Sequence, residues 1–141
     1  MNSGAGRLMA DNIATILVIE DSAADREMFR RVLRQVCPGD VQVSFAHDLA
    51  TGREGLDEHR VVLIILDNVL PDGRGADFMS ELAKHKTWHK IPVLMVSDWP
   101  TPFMFDKARN ARAKAILSKD DFRAPVVRPY IDGIPRGTLR A

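Results

Sequence analysis

The fold of this chain is decided by residues 61–67, VVLIILD, where six consecutive apolar residues are followed by an acid. A continuous apolar run of this length is typical of a strand buried on both faces of a parallel sheet, because a strand with one wet face alternates in polarity. Residues 13–19 form a second apolar, β-branched run, which ends at Glu20 and Asp21. The sequence therefore predicts buried parallel strands that end at acidic residues.

The rest of the chain repeats this pattern between segments with helical spacing of apolar residues. Ser22, with Asp25 three residues later, resembles a capping box and predicts the start of the first helix. We expect helices from there to Val36 and over His47–His59, Ala76–Lys86 and Phe103–Asn110, and further strands at Val41–Ala46, Ile91–Val96 and Lys114–Leu117. Five strands alternating with helices predict an α/β fold with a flavodoxin-like, doubly wound, five-stranded parallel sheet in three α/β/α layers.

A length of 141 residues suits one domain of this kind. Residues 1–12 are small and polar and are expected to be a flexible tail, with the domain over 13–130 and an arm over 131–141. Three prolines interrupt the last segment, which predicts an irregular C-terminal segment with at most a short helix.

Composition limits the classes of partner. Twenty basic and nineteen acidic residues leave a formal charge of +1, which gives no reason to expect nucleic acid or a membrane surface as a partner. The sequence shows no apolar run of about 18 residues or more. The single cysteine, Cys37, cannot form an internal disulfide, which favours a reducing, cytoplasmic location.

Reactive side chains follow four of the five predicted strands. They are Glu20 and Asp21, Asp67, Ser97 and Lys119. Because the carboxyl ends of parallel strands share one edge, these side chains are expected in one cleft. Carboxylates about 4 Å apart repel by roughly 3–4 kcal/mol per pair at an effective dielectric of 20, so the cleft requires a cation. Hard carboxylate oxygens favour Mg²⁺.

In such a cleft one carboxylate can act as a nucleophile toward phosphorus and form an acyl phosphate. Lys119 would supply positive charge to the phosphoryl oxygens, and Ser97 a hydroxyl donor. Taken singly, each acid is better explained as a helix cap or a loop residue than as a catalytic residue. Their joint occurrence at strand ends, with a hydroxyl and a lysine, favours a single site.

Four segments resemble the response-regulator receiver family. ILVIEDSAADREM (residues 16–28) is similar to its acidic-pair strand and first helix, LIILDNVLPDGRG (63–75) to its phosphoacceptor strand and loop, IPVLMVSD (91–98) to its fourth strand, and AILSKDDF (115–122) to its lysine strand. The resemblance covers about 15–122, and the separations of 30 residues from Asp67 to Ser97 and 22 from Ser97 to Lys119 fit the family.

The resemblance implies a role for each matched residue. Asp67 would be the phosphoacceptor and a metal ligand, Asp21 would bind Mg²⁺ directly, Glu20 mostly through water, and the main-chain carbonyl of Val69 would complete the protein ligands.

Ser97 would be the switch hydroxyl, and Lys119 the ion-pair partner of the phosphoryl group. The expected partners are a histidine kinase or histidine phosphotransfer protein, and a downstream protein whose identity the sequence leaves open. Such a receiver accepts and slowly hydrolyses its own aspartyl phosphate and is not a turnover enzyme.

Several positions depart from the family pattern. Ile116 stands where a Tyr or Phe is usual, Asp98 where a small residue follows the switch serine, and Asp120 where proline is frequent, so no cis peptide is expected there. Arg112 stands where a helix-ending glycine is expected, which requires left-handed geometry unless the helix ends at Asn110.

The segment 99–105, WPTPFMF, is unusually aromatic. It either fills a differently packed helix or forms an exposed patch for a partner or a second receiver. A homodimer is compatible with this loop and with the C-terminal arm.

The sequence is compatible with three functions. The leading one is a stand-alone receiver without an output domain, since no residues remain to build one. The second is a pseudo-receiver that acts as a phosphorylation-independent interaction or dimerisation module. The third, a phosphatase of the haloacid dehalogenase type, needs an aspartate two residues after the nucleophile, where Val69 stands.

Overall fold

A computed structural model describes residues 12–134. Most of the expected N-terminal tail and the end of the expected C-terminal arm lie outside the described residues. No helix in the described range is long and apolar enough to cross a membrane.

Five parallel strands form one sheet, and the predicted fold class is confirmed. The strands are β1 (Ala14–Ile19), β2 (Val41–Ala46), β3 (Arg60–Asp67), β4 (Val93–Ser97) and β5 (Ala115–Ser118), in the spatial order β2-β1-β3-β4-β5. The order reverses between β1 and β3, which creates a crevice at the carboxyl edge of the sheet. This is the flavodoxin-like order predicted from the sequence.

Helices cover both faces of the sheet. They are α1 (Ala23–Val36), α2 (Leu49–Glu58), α3 (Gly75–Lys84), α4 (Pro102–Asn110) and α5 (Ala124–Asp132), with 3-10 turns at Trp88–Lys90 and Lys119–Asp121. Helices α1 and α5 pack on one face, and α2, α3 and α4 on the other.

Alternate residues of each central strand pack into two separate hydrophobic cores, one on each face of the sheet. In β3, Ile64 and Leu66 join the core beneath α2, α3 and α4, whereas Leu63 and Ile65 join the core beneath α1 and α5. All four side chains are buried. The continuous apolar run that predicted a doubly covered strand therefore reflects the need to fill both cores.

A short antiparallel hairpin follows β3, in which Val69–Leu70 pairs with Gly73–Arg74. The predicted turn over residues 71–73 is its tip. Strands of two residues carry no periodic signal, so the hairpin itself was not predicted. Its Asp72 side chain accepts hydrogen bonds from the backbone N–H groups of Leu49 at 2.8 Å and Ala50 at 3.0 Å, at the start of α2. The loop after β3 is thereby fixed to a neighbouring helix.

Replacing Asp72 with alanine is expected to lower the free energy of unfolding by about 1 kcal/mol, because it removes the acceptors of two N–H groups at a helix start. Urea denaturation measures this change. Asp57→Ala, on the exposed side of the same helix, is the matched control and is expected to stay within about 0.5 kcal/mol of wild type. Equal losses in the two variants would contradict the capping role.

Two features near the C-terminus complete the fold. Helix α5 contains Pro129 and runs to Asp132, and the side chains of Ile131 and Ile134 are buried in the core. The boundary expected at residue 130 therefore falls inside this helix. Helix α4 ends at Asn110, and Arg112 still adopts a left-handed φ of 66°. A non-glycine residue at this angle costs roughly 1–2 kcal/mol.

Candidate functional site

Parallel pairing brings the carboxyl ends of the central strands together. Ile19 pairs with Leu66, so Glu20 lies beside Asp67, and Asp67 in turn pairs with Val96. On the next strand pair, Ser97 is opposite Ser118, the residue before Lys119. The pairing registers of these four adjacent strands thus bring the residues expected in one cleft to the same edge of the sheet.

Glu20, Asp21 and Asp67 form a compact acidic cluster. One carboxylate oxygen from each lies within 4.8 Å of the others, with Glu20 and Asp67 buried and Asp21 exposed. The Glu20 carboxylate accepts a hydrogen bond from Ser22 N–H at 3.0 Å, and the Asp67 carboxylate accepts one from Asn68 N–H at 2.8 Å.

Burial dominates the protonation behaviour of the two buried acids. Desolvation raises the pKa of Glu20 to about 7, against the lowering effects of Ser22 N–H and Lys119. Desolvation also raises the pKa of Asp67, although Lys119 and the N–H groups of Asn68 and Val69 oppose it. Burial therefore disfavours the ionised forms of both acids more than the neighbouring donors favour them.

Lys119 is the cation that contacts this cluster. Its Nζ atom lies 2.9 Å from Glu20 Oε1 and 3.7 Å from Asp67 Oδ2, and its side chain is only 10% exposed. Burial alone lowers the pKa of Lys119, but the carboxylates of Asp25, Glu20 and Asp67 outweigh burial and raise it above its ordinary value. Lys119 therefore stays protonated at neutral pH.

The cluster fits a hard divalent cation. Glu20 Oε1 is buried, and its charge is met by the 2.9 Å ion pair with Lys119 rather than by a hydrogen bond from the backbone. A buried carboxylate oxygen that lies with two other carboxylates is part of a donor set suited to Mg²⁺ or a similar ion. Glu20, Asp21 and Asp67 form the one such group of three or more ligand residues found among residues 12–134.

Asp25 also contacts Lys119, which the sequence analysis did not foresee. Asp25 Oδ2 lies 2.6 Å from Lys119 Nζ, and this is the shortest of the four carboxylate contacts of the ammonium group. The expected capping box is only half formed. Ser22 Oγ accepts from Asp25 N–H, but the Asp25 side chain turns to Lys119 and Ser22 N–H donates to Glu20. The spacing that resembled a capping box therefore includes a residue, Asp25, that contacts the candidate site.

A groove of about 590 Å³ opens beside Asp67, between the loop after β3 and the start of α4. Ser97 is buried at its base, and the exposed side chains of Val69, Trp99 and Phe103 line it. Trp99 is 86% exposed and Phe103 70%. The aromatic segment therefore forms an exposed patch at the mouth of the groove, and Met104 is its buried member.

Of the positions that depart from the family pattern, Asp98 lines this groove. Asp98 is exposed, with Oδ2 3.7 Å from Lys119 Nζ. Ile116 is half-buried in β5 and packs against the core under α2, α3 and α4. As expected for a chain with Asp120 in place of proline, the peptide bond after Lys119 is trans, like every peptide bond within residues 12–134.

Comparisons with known proteins agree with this geometry. A family model described as "Response regulator receiver domain" matches residues 16–126. Transcriptional regulatory protein DpiA of Escherichia coli (strain K12) is 39% identical over 70 residues, which are 50% of this chain and 30% of that protein. The matched region is thus less than a third of the length of that curated relative.

Two solved structures show the same fold. The Mn(2+)-bound form of response regulator Rcp1 is 22% identical, with a TM-score of 0.68 over 90% of this chain and 95% of that one. The phosphorylated cyanobacterial phytochrome response regulator RcpA is 20% identical, with a TM-score of 0.69 over 86% of this chain and 91% of that one.

Proposed function

The chain belongs to the response regulator receiver domain family of two-component signalling systems, and from this premise we propose that Asp67 accepts a phosphoryl group from a histidine kinase or a histidine phosphotransfer protein. The observation that carries the proposal is the Asp67 carboxylate itself. It is buried beside Glu20 and Asp21 and lies 3.7 Å from Lys119, at the base of a groove that opens to solvent.

The proposed transfer follows from the positions of these side chains. A carboxylate oxygen of Asp67 forms a bond to phosphorus as the P–N bond to the donor histidine breaks, and the electron pair of that bond returns to the imidazole nitrogen. Lys119 Nζ offers donors to the phosphoryl oxygens, and Ser97 offers its hydroxyl from the adjacent strand end. The product is an acyl phosphate on Asp67, and its slow hydrolysis would reset the protein without making it a turnover enzyme.

Glu20, Asp21 and Asp67, with the main-chain carbonyl of Val69, are the residues that would hold Mg²⁺. When bound, the ion would supply positive charge to the carboxylates and to the phosphoryl oxygens. The Mn(2+)-bound structure of the like-folded regulator Rcp1 supports a divalent ion in this fold. The raised pKa values of Glu20 and Asp67 support the need for one here.

Mg²⁺ binding is expected to change the fluorescence of Trp99, which lines the groove with Asp67. The Asp21→Asn variant is expected to bind Mg²⁺ about tenfold or more weakly, because it loses a charged ligand. Asp57→Asn, which is exposed on α2, is the control for overall charge and should bind like wild type. An unchanged affinity of the Asp21 variant would remove this residue from the metal site.

Signalling would proceed through protein contacts. A phosphoryl group on Asp67 would draw Ser97 and Lys119 toward it and reorder the loops after β3 and β4, which carry the exposed patch of Val69, Trp99 and Phe103. The proposed partners are the phosphodonor and a downstream protein that recognises this changed surface, in the cytoplasm. The proposal also includes a homodimer that forms through the same patch, and it includes neither nucleic acid nor a membrane.

Beryllofluoride, which mimics a phosphoryl group on a carboxylate, tests the proposal directly. In the presence of Mg²⁺ the wild-type chain is expected to give a bound ¹⁹F resonance, and omission of Mg²⁺ is expected to abolish it. A chain that shows neither Mg²⁺ binding nor a bound ¹⁹F resonance would instead be the phosphorylation-independent interaction module.

A further inference from the structure

The contact between Asp25 and Lys119 has no place in the transfer step described above. We propose that Asp25 is a positioning residue that holds the Lys119 ammonium in the unphosphorylated protein and competes with the phosphoryl group for it. This inference rests on the proposed function, because it concerns the lysine assigned to the phosphoryl oxygens.

The distances around Lys119 Nζ define this competition. The ammonium lies 2.6 Å from Asp25 and 2.9 Å from Glu20, but 3.7 Å from both Asp67 and Asp98. The Asp25 contact is a hydrogen bond between the two side chains and is the shortest of the four contacts. Lys119 is therefore held on the α1 side of the cleft, beyond hydrogen-bond distance of the proposed phosphoacceptor.

Both sides of this contact are firmly anchored. The backbone of Asp25 is fixed by the hydrogen bond from its N–H to Ser22 Oγ, in the first turn of α1. On the other side, Phe122, three residues after Lys119, packs edge-on against Phe29 of α1 with 4.8 Å between ring centroids. The fold thus joins α1 to the segment after β5 and sets Asp25 opposite Lys119.

A phosphoryl group on Asp67 changes the balance of charge in this cleft. It adds up to two negative charges near an ammonium that already contacts four carboxylates. Lys119 must then move toward the phosphoryl oxygens and give up or lengthen its bond to Asp25. Because Asp25 favours the unphosphorylated arrangement, its removal should strengthen binding of a phosphoryl mimic.

The test is a beryllofluoride titration in saturating Mg²⁺, read from the bound ¹⁹F resonance. Asp25→Asn is expected to bind about three- to fivefold more tightly than wild type, the scale set by loss of one partly buried charge pair. Asp25→Ser is expected to show the same gain. Asp25→Glu, which restores the carboxylate, is expected to return to within about twofold of wild type.

Glu27→Gln provides the matched control. It removes the same charge from the same helix, but Glu27 is exposed and pairs with Arg30, so its affinity should equal that of wild type. A general loss of stability cannot produce tighter binding. The inference is overturned if the two uncharged Asp25 variants bind no more tightly than wild type, or if Glu27→Gln shows an equal gain. Absence of binding by wild type would instead remove the proposed function and this inference with it.

Discussion

Replacing Asp67 with asparagine is expected to lower the rate of phosphoryl incorporation by more than about a thousandfold. The carboxamide has nearly the same shape as the carboxylate, but it lacks the anionic oxygen that attacks phosphorus. Incubation with acetyl phosphate and Mg²⁺, followed by intact-protein mass spectrometry, measures the added phosphoryl group. A variant that is labelled at the wild-type rate would show that the nucleophile lies elsewhere.

Asp98→Asn is the matched control for this experiment, because Asp98 also lies 3.7 Å from Lys119 but is largely exposed. It removes one charge from the same surroundings while the proposed nucleophile stays in place. Labelling should therefore continue in this variant. Loss of labelling in both variants would indicate that overall charge, rather than the Asp67 oxygen, controls the reaction.

The Asp67→Asn variant should also unfold at a higher temperature than wild type at pH 7 without divalent cations. Burial raises the pKa of Asp67 above its ordinary value, so in the folded state the ionised form is disfavoured. A carboxyl group of this kind contributes stability at low pH and loses it as the pH rises through the folded-state pKa. Asparagine stays neutral, so its advantage should shrink as the solution is acidified toward the ordinary pKa of aspartate.

The site residues at strand ends could be predicted from the sequence because each apolar run stops at a polar residue. Each central strand is buried on both faces, so its apolar run stops where the chain leaves the core, and Glu20, Asp67 and Ser97 stand at those stops. Parallel order then brings distant positions to one edge without any knowledge of side-chain contacts. The fold class and the acidic cluster follow from the same pattern.

Asp25 could not be recognised in this way, because its role depends on which face of α1 meets the segment after β5. Its spacing from Ser22 indicated a helix start, and that indication is correct for the backbone. The direction of the side chain is set by the packing of Phe29 on Phe122, which joins segments more than ninety residues apart. Contacts of this kind depend on tertiary packing and leave no local periodic signal.

The two-residue strands after Asp67 are too short to carry a periodic signal, so the sequence does not predict them. The hairpin is held by its contacts with neighbours, through Asp72 at the start of α2 and through Asn68 at the start of α3. Asn68 Oδ1 accepts from Ala76 N–H at 3.0 Å, and its carbonyl accepts from Gly75 N–H at 2.8 Å. The loop that carries Asp67 is therefore closed directly against the first turn of α3.

The close approach of this loop to α3 leaves no room for a side chain at Gly75. A Cβ atom at this position would lie 2.2 Å from the Asp67 carbonyl oxygen and 3.0 Å from Asn68 Cα. Both neighbours are backbone atoms and cannot turn away as the end of a side chain can. Gly75→Ala is thus expected to lower the free energy of unfolding by about 3 kcal/mol, measured by urea denaturation.

The same substitution should weaken Mg²⁺ binding about tenfold, because relief of the clash must move the backbone that carries Asp67. Gly39→Ala is the control, since a Cβ there meets nothing within 4 Å, and it should stay within about 0.5 kcal/mol of wild type with unchanged Mg²⁺ affinity. Gly75 has no left-handed φ, so the predicted loss comes from close approach of two backbone segments. A Gly75→Ala protein of wild-type stability would mean that the loop after β3 can shift freely. A loop that shifts freely could not hold the Asp67 carboxylate beside Glu20, Asp21 and Lys119.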